Sequence, residues 1–503
     1  MNYYLGIDMG GTVIKAAIFD DNGHEIKTCG KKLTILYPAP DMYERSSVEA
    51  REVCYDVIAS VLKESGVKGE DIKGIGVTGQ ANGLYMFDAN CEPVYNGVMS
   101  SDMRAKEYII KWLNDGTWKD KLLPKIHQQI WAGNTPTLIR WFKDNKPEII
   151  EKAKYLVTAK DYIRYLLTGE FCLEYTEASG TAQMDQDKRQ ITKEIYDIYG
   201  IGDCHEKVPS RIVECTDIVG TVTKKCAELT GLKEGTPVVG GQMDTGACTV
   251  SAGVLNEDQM GMIVGSWSIN SIVKNKPVID PNIFMVYEYC IKGMYCYMEG
   301  SSTSATNNEW FVDTILSDID HKKVYAECSN MIEKTNYRDS IIFLPFLYGT
   351  NVNINAKASF IGLKGSHTRA EIARSVHEGI IFSHKYHVEK LMPYVDKVSS
   401  VRMAGGGAKS SEWMQMFSDI LGYTVETSEA EELGAMGVAM EAAVGTGAFK
   451  DMKEVVNKWV RQKNAFNPDS EKNKYYNEKY VVYKKILDAL DPVWNDIDKL
   501  DNI

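Results

Sequence analysis

The pattern of apolar and polar positions predicts the same hairpin twice. Residues 4–20 read as a short apolar run, a glycine turn and a second β-prone run, and residues 260–273 repeat that order. Each turn carries a hydroxyl residue, Thr12 in the first and Ser266 in the second. Such a hairpin exposes backbone N–H groups at its tip, and these groups beside a hydroxyl can hold phosphate oxygens. Two copies, one per half, suggest a duplicated protein that holds a nucleotide phosphate chain between its halves.

The rest of the chain alternates strands and helices. A polar strand is predicted at 25–32, a helix at 48–65, and a buried strand that ends in a glycine turn at 72–79. Residues 236–244 read as a strand that runs into a loop, and 245–253 as a helix or tight crossover. Further helices are predicted at 102–114, 136–145, 160–167, 369–393, 411–421, 433–445 and 472–490. Because the second hairpin restarts the pattern, we place a domain boundary near 250–257 and predict domains 1–252 and 253–503.

Length and composition narrow the class of protein. A chain of 503 residues exceeds one ordinary core and favours two domains of roughly 200–250 residues. The net charge of −12 argues against nucleic acid or an anionic membrane as the main partner. We see no apolar run of about 18 residues, so we expect no transmembrane helix, and no signal peptide is visible. The 11 cysteines are scattered singly without a CxxC pair, which favours reduced thiols and a cytoplasmic protein.

Two aspartates follow predicted strands directly. Asp8 stands before the first glycine turn, where a carboxylate can hold Mg²⁺ beside phosphates; the alternative is a turn aspartate that caps its own loop. Asp244 follows Gly240 and Gly241 at a strand end, the edge at which α/β sheets bind ligands. Its alternative is a helix N-cap.

A glycine-rich segment in the second half, residues 405–410, reads GGGAKS. It fails the GxxxxGK[ST] pattern of a P-loop, because Ala408 stands directly before Lys409. Glycines at a strand end allow an adenine to lie flat on the backbone, and the alternative is a plain strand–helix turn. Ser410 or Ser411 is a candidate N-cap of the following helix.

Several separated motifs together resemble those of the FGGY carbohydrate kinases, a branch of the actin/hexokinase-like ATPases. The matching segments are residues 6–12 (GIDMGGT), 15–16, 79–80, 101–105, 161–162, 167–170, 240–244 (GGQMD), 265–267 and 405–410, with Trp413 and Gln415. Within the family the chain looks most like the pentulose kinases, and the L-xylulose kinase subgroup in particular. Three segments support that narrower match: residues 100–105, 130–134 and 343–349.

The resemblance implies an α/β fold with two ribonuclease-H-like domains around a central cleft. It implies an ATP- and Mg²⁺-dependent kinase that transfers the γ-phosphate to a hydroxyl of a ketopentose, with L-xylulose favoured. Asp244 is then the catalytic base and Asp8 the metal residue. The phosphate and nucleotide residues implied are Gly10, Gly11, Thr12, Lys15, Gly265, Ser266, Gly405, Gly406 and Lys409. We also expect a homodimer whose partners are the sugar and ATP, without nucleic acid or membrane.

The candidate sugar pocket comprises polar and aromatic residues of the first half. Its members are Gln80, Ala81, Asn82, Asp102, Arg104 and Trp131, with Asp244 at the reacting hydroxyl. Kinases of the D-xylulose type tend to carry Met-His after the glutamine, whereas this chain has Ala81 and Asn82. That departure favours another sugar. The alternatives are that Asp102 and Arg104 pair as structural ions and that Trp131 belongs to the core.

Other functions stay open at this stage. Within the kinase class the alternatives are D-xylulose, ribulose, glycerol, erythritol or gluconate as substrate. A chaperone or actin-like ATP-binding protein is a different class, which the GGQMD motif and the lack of an appended domain disfavour. Intact Asp8 and Asp244 argue against a pseudokinase. His384 and His387 are three residues apart on a predicted helix, but a packed or solvent-facing helix explains them better than a zinc site.

Overall fold

We describe a computed structural model of the chain that covers residues 2–350, 352–353 and 355–500. The fold divides into two compact units. The first consists of residues 1–255, 273–297 and 430–461, and the second of 256–272, 298–429 and 462–503. The domain boundary predicted between residues 252 and 253 divides the chain in sequence order, whereas each of these units consists of three separate segments. That boundary stays a prediction.

The strands that this part of the chain forms are β1 (Tyr3–Met9), β2 (Val13–Asp20), β3 (Glu25–Lys32), β4 (Glu44–Arg45), β5 (Ile72–Gly79), β6 (Tyr85–Phe87), β7 (Gly97–Val98), β8 (Tyr155–Val157), β9 (Leu173–Glu174), β10 (Ile212–Val213), β11 (Ile218–Thr221), β12 (Pro237–Val239), β13 (Gln242–Met243), β14 (Gln259–Val264), β15 (Ser268–Lys274), β16 (Met285–Glu288), β17 (Tyr295–Ser301), β18 (Ile342–Leu344), β19 (Ser359–Ile361), β20 (Ser400–Ala404), β21 (Val425–Ser428) and β22 (Gln462–Phe466).

The α-helices are α1 (Ser47–Ser65), α2 (Lys106–Asn114), α3 (Leu123–Ile126), α4 (Thr135–Asn145), α5 (Pro147–Lys152), α6 (Ala159–Thr168), α7 (Tyr175–Gly180), α8 (Lys193–Ile198), α9 (Lys224–Thr230), α10 (Asp244–Ser251), α11 (Ala305–Ile315), α12 (Val324–Glu333), α13 (Arg369–Leu391), α14 (Ser411–Leu421), α15 (Leu433–Gly445), α16 (Met452–Trp459) and α17 (Ser470–Leu500). No helix among the described residues is both long enough and apolar enough to cross a membrane.

The central sheet of the first unit begins with an antiparallel meander. Strands β1, β2 and β3 pair in sequence order, and the register places Asp8 opposite Lys15. On its other side β1 pairs in parallel with β5, and β5 pairs in parallel with β12 and β13. Because parallel strands end at the same edge, the residues that follow β1, β5 and β13 converge there.

The sheet of the second unit repeats this topology. Strands β14 and β15 form the antiparallel hairpin, β14 pairs in parallel with β20, and β20 pairs in parallel with β21. The edge strand β22 adds to β21 in antiparallel orientation. The predicted duplication and the predicted α/β class of fold are therefore both present.

Helix α15 packs on the first sheet at positions where the strands carry glycine. A Cβ atom on Gly6 of β1 would lie 1.9 Å from the carbonyl oxygen of Ala435, and one on Gly76 of β5 would lie 2.0 Å from that of Val438. The helix backbone occupies the space that side chains would need. The small-residue pattern of residues 433–445 therefore reflects a close approach between helix and sheet.

Most predicted elements are observed close to their expected ends. Helix α1, predicted at 48–65, begins after Ser46, whose side chain accepts the Glu49 N–H, and ends at Gly66 with φ of 71°. The prediction of a helix over 102–114 is wrong at its start, because α2 begins at Lys106. The Asp102 carboxylate accepts the Arg104 N–H at 2.9 Å, which closes a turn before the helix.

Candidate active site

The first hairpin ends in a turn whose donors face solvent. Gly10 closes it by donating its N–H to the Val13 carbonyl at 3.0 Å. Gly11 and Thr12 are exposed, and within the described part of the chain their N–H groups donate to no protein acceptor. The turn therefore offers free donors of the kind that bind phosphate.

Behind this turn lies a residue that the sequence reasoning missed. The buried guanidinium of Arg45 donates to the Gly10 carbonyl at 3.1 Å and to the Gly11 carbonyl. It also donates to Gln80 Oε1 at 3.3 Å. The only signal in the sequence is its place next to Glu44 in a polar segment, which does not distinguish it from a surface arginine.

Asp8, at the end of β1, lies in a cluster of charged side chains. Lys15, opposite it on β2, forms an ion pair of 2.8 Å with Glu432, the residue before α15. Burial raises the pKa of Asp8 to about 6, Lys15 opposes the rise and Glu432 adds to it. Glu432 is a second residue that sequence reasoning missed, because the chain returns to the first unit only at residue 430.

Asp244 is the first residue of α10 and sits at the edge where β13 ends. Its Oδ1 accepts the N–H of Thr245 at 2.7 Å. Burial, and after it the nearby charge of Asp8, raises the pKa of Asp244 to about 7. A carboxylate whose pKa lies near neutrality is well matched to accept a proton.

The segment before Asp244 is held by buried polar groups. The Thr78 hydroxyl donates to the Gln242 carbonyl at 2.7 Å, and the Met243 N–H donates to the Thr176 hydroxyl at 3.1 Å. The guanidinium of Arg164 donates to the Gly240 carbonyl. Together these contacts fix the backbone from which Asp244 projects.

Several of the predicted sugar residues follow β5 at the same edge. The Gln80 N–H donates to the Met9 carbonyl at 2.9 Å, which places it beside the first turn. Ala81 is half-buried next to it. Asn82 is buried with φ of 64°, and it accepts from Asn134 Nδ2 at 2.8 Å. These three residues therefore lie next to the turn of the first hairpin.

The other predicted sugar residues lie in loops around this position. Trp131 is half-buried and stacks on Phe284, with ring centroids 5.1 Å apart. Asp102 is fully buried and accepts from Arg104 Nε at 2.8 Å and from the Tyr43 N–H at 2.7 Å. The structural pairing of Asp102 with Arg104, which the sequence left open as an alternative, is therefore what the structure shows.

The second unit presents a matching turn between β14 and β15. Ser266 and Trp267 are exposed at its tip. The Gly265 carbonyl accepts the Ala305 N–H at 2.9 Å, and the Ser266 carbonyl accepts from the Thr306 hydroxyl at 3.4 Å. As in the first unit, the carbonyl groups of the turn accept hydrogen bonds from residues outside the turn.

The glycine-rich segment after β20 is also exposed. Gly405 has φ of 89°, and a Cβ atom there would lie 2.6 Å from the Val264 carbonyl oxygen, so glycine is required. Gly406 and Lys409 are exposed, and Ser410 caps α14 by accepting the Trp413 N–H at 3.2 Å. Of the two predicted N-cap candidates, Ser410 and Ser411, the structure shows Ser410 in that position.

The residues around Asp8 fit a divalent cation. Asp8 Oδ1 is buried and has no hydrogen-bond partner, and a carboxylate oxygen is the kind of ligand that Mg²⁺ prefers. Among the described residues no group of three or more His, Cys, Asp or Glu side chains could hold a metal by itself.

The duplicated α/β fold, with a buried carboxylate beside the exposed turn of the first hairpin, is that of the actin/hexokinase-like ATPases. The FGGY family of carbohydrate kinases matches through its N-terminal domain at residues 3–251 and its C-terminal domain at residues 260–446. The chain belongs to this family and is therefore a phosphotransferase with an alcohol group as acceptor. Kinases of this family use ATP and a divalent metal, and act on sugars.

Individual relatives extend over nearly the whole chain. The L-xylulose/3-keto-L-gulonate kinase of Escherichia coli (strain K12) is 32% identical over 489 residues, with 97% of each chain covered. A probable L-xylulose kinase of Haemophilus influenzae is 33% identical over 495 residues, covering 97% of this chain and 99% of its own. A ligand-bound xylulose kinase from Lactobacillus acidophilus shares the fold with a TM-score of 0.89 at 22% identity, covering 99% of this chain and 100% of its own.

Proposed function

We propose that this protein is an ATP-dependent kinase that transfers the γ-phosphate of ATP to a hydroxyl of a ketopentose, with L-xylulose favoured. The observation that carries the proposal is Asp244, whose pKa is raised to about 7 beside Asp8 and the first phosphate turn. The names of the relatives that are about one-third identical support L-xylulose as the sugar.

Asp244 is the proposed catalytic base. As the sugar hydroxyl attacks the γ-phosphorus, the Asp244 carboxylate accepts its proton, and the phosphoryl group passes in line from ADP to the sugar oxygen. The contacts of Thr78, Thr176 and Arg164 with the preceding backbone keep the carboxylate at a fixed position. Fixed position is the main contribution that an enzyme makes to such a transfer.

The proposed phosphate-binding groups of the first unit are the N–H groups of Gly11 and Thr12, with Gly10 shaping the turn. The Thr12 hydroxyl adds a donor, and Lys15 contributes a charge whose position Glu432 fixes. In the second unit the proposed nucleotide-binding residues are Gly265, Ser266, Gly405, Gly406 and Lys409. Their support is their place at a turn or at a strand end, where all but the half-buried Gly265 are exposed.

We propose Mg²⁺ as the divalent ion and Asp8 as the residue that holds it, through water or directly. When bound, the ion neutralises phosphate charge and so eases attack on the γ-phosphorus. The unpartnered Oδ1 of Asp8 supports this assignment.

The proposed sugar-binding residues are Gln80, Ala81, Asn82 and Trp131, with Asp244 at the reacting hydroxyl. Amides and an aromatic face suit the polar edges and apolar faces of a polyol. Asp102 contributes to the pocket indirectly: its buried ion pair with Arg104 holds the neighbouring loop in place.

A substrate panel tests the function. ADP release is coupled to a detection enzyme and measured with L-xylulose, D-xylulose, 3-keto-L-gulonate, glycerol and D-gluconate. A pocket built on hydrogen bonds leaves a polar group unpaired when a hydroxyl is misplaced, so L-xylulose is expected to exceed D-xylulose in kcat/KM by at least about tenfold. A preference for 3-keto-L-gulonate or glycerol would show that L-xylulose is not the substrate. If none of these compounds caused ADP release, the proposed kinase activity would be refuted.

Two further proposals concern the protein's environment. We propose a homodimer, which light scattering coupled to gel filtration tests directly. We also propose that the protein works in the cytoplasm. All 11 cysteines are free thiols, which supports a reducing compartment.

A further inference from the structure

Arg45 is a buried cation without an opposite charge. The residue is 1% exposed, yet no carboxylate among the described residues forms an ion pair with it. The neighbouring Glu44 does not neutralise this charge, because successive residues of β4 point to opposite sides of the strand. The Glu44 carboxylate instead accepts hydrogen bonds from Arg104, Tyr95 and Asn96. An unpaired buried charge is costly, so its retention calls for a negative partner that arrives from outside the chain.

The contacts of Arg45 point to the position of that partner. Its nitrogens donate to the carbonyls of Gly10 and Gly11. In a planar trans peptide the C=O and N–H groups point in opposite directions. By holding these two carbonyls, Arg45 therefore turns the N–H groups of Gly11 and Thr12 away from itself and into the open turn.

The second unit shows the same arrangement without the charge. There the carbonyls of Gly265 and Ser266 are held by the Ala305 N–H and the Thr306 hydroxyl. Neutral donors are thus sufficient to orient such a turn. The positive charge of Arg45 is an addition that orientation alone does not explain.

We propose that Arg45 is the positioning residue of the first phosphate turn and that its uncompensated charge is neutralised by the polyphosphate of ATP. This rests on the proposed function, which places the nucleotide phosphates at this turn. The contact of Arg45 with Gln80 Oε1 at 3.3 Å also links the phosphate turn to the proposed sugar pocket. Arg45 acts through the backbone and through its charge, without touching the reacting atoms.

Two substitutions separate charge from geometry. Arg45→Gln removes the charge but keeps an amide donor, and Arg45→Lys keeps the charge but loses the two-pronged donor. Arg51→Gln is the matched control, since Arg51 lies close by in the chain and pairs with Glu92 at the surface. Binding of ATP and of adenosine is measured by calorimetry, together with the KM for ATP and kcat in the presence of the sugar.

Arg45→Gln is expected to weaken ATP binding by about tenfold or more, because a positive charge close to the phosphates is lost. Adenosine, which carries no phosphate, should bind with unchanged affinity. Arg45→Lys should lose less ATP affinity than Arg45→Gln, and Arg51→Gln should match the unsubstituted enzyme. Unchanged ATP binding in Arg45→Gln, an equal loss in Arg45→Lys, or a parallel loss of adenosine binding would each overturn the proposal.

Hydrogen exchange on the unsubstituted enzyme keeps the proposal testable if the glutamine variant does not fold. The Gly11 and Thr12 amides should exchange rapidly in the free enzyme and become protected by ATP but not by adenosine. Protection that is already present in the free enzyme would overturn the orientation assigned to the turn. If the unsubstituted enzyme phosphorylates no sugar, the proposed function itself is wrong. If it is active but the Arg45 variants bind ATP as well as it does, only the role inferred for Arg45 is refuted.

Discussion

The charge of Asp8 raises the pKa of Asp244, although these residues come from distant parts of the sequence. They meet because β1, β5 and β13 run parallel and end at one edge of the sheet. Lys15 faces Asp8 across the hairpin, but its ammonium group already pairs with Glu432. This edge of the sheet therefore carries more negative than positive charge, which suits a divalent cation and keeps the pKa of Asp244 raised.

Asp244→Asn should abolish sugar-dependent turnover of ATP while leaving ATP affinity nearly intact. An amide cannot accept the proton of the attacking hydroxyl, and loss of a general base costs roughly 10²–10⁴-fold in kcat. Steady-state kinetics and calorimetric ATP titration measure the two quantities. Asp56→Asn, at an exposed ion pair with Lys31, is the control, and a near-normal kcat in Asp244→Asn would contradict the assignment.

The same variant should be more stable than the unsubstituted protein, and increasingly so as pH rises. The pKa of Asp244 is about 7 in the folded chain against an ordinary value of 3.8. Between these values the unfolded state has already lost the proton that the folded state retains, so ionisation destabilises the fold as pH rises toward 7. Thermal unfolding at about pH 5 and about pH 8 tests this; a gain for Asp244→Asn that is equal at both values would argue against the raised pKa.

Local patterns were sufficient to predict both hairpins and nine of the 17 α-helices that the described residues form. The pattern of an apolar run, a glycine turn and a second β-prone run predicts a hairpin, and the structure has one at β1–β2 and another at β14–β15. Helix α14 begins and ends where predicted, at residues 411 and 421, and one of the two candidate serines, Ser410, caps its start. Such signals lie within a few residues of one another, so a single sequence reveals them.

What the sequence did not reveal depends on contacts between distant segments. Arg45 matters through carbonyls of the first turn, and Glu432 through Lys15, and no local spacing predicts either contact. Asp102 looked available to a sugar, but Arg104 and the Tyr43 N–H occupy its oxygens. The family resemblance supplied the roles of Asp8 and Asp244, since an isolated aspartate after a strand is as often a cap as a ligand.

Gly6→Ala should destabilise the first unit severely. The added methyl would lie 1.9 Å from the carbonyl oxygen of Ala435, and neither backbone can yield without moving α15 off the sheet. Forced overpacking typically costs about 1–3 kcal/mol, and a clash between two backbones places this variant at the upper end of that range. Gly365→Ala is the control, because a Cβ atom there meets no atom within 4 Å; chemical denaturation that finds both variants equally stable would refute the close packing.

Asp8→Asn should raise the Mg²⁺ concentration needed for activity and lower kcat. The substitution keeps the shape of the side chain but removes the negative charge, and an amide oxygen is a weaker ligand for Mg²⁺ than a carboxylate. Activity is measured while Mg²⁺ is titrated at fixed ATP, with Asp56→Asn as the control for loss of a surface charge.

The stability of the same variant without metal provides an independent check. Burial raises the pKa of Asp8 to about 6, so at about pH 8 the folded protein holds an ionised carboxylate whose Oδ1 has no hydrogen-bond partner. Replacing it by the neutral amide should leave the metal-free protein at least as stable in thermal unfolding. Added Mg²⁺ with ATP should then stabilise the unsubstituted protein more than Asp8→Asn. An unchanged Mg²⁺ dependence, with a clear loss of stability in the metal-free variant, would mean that Asp8 only shapes the turn.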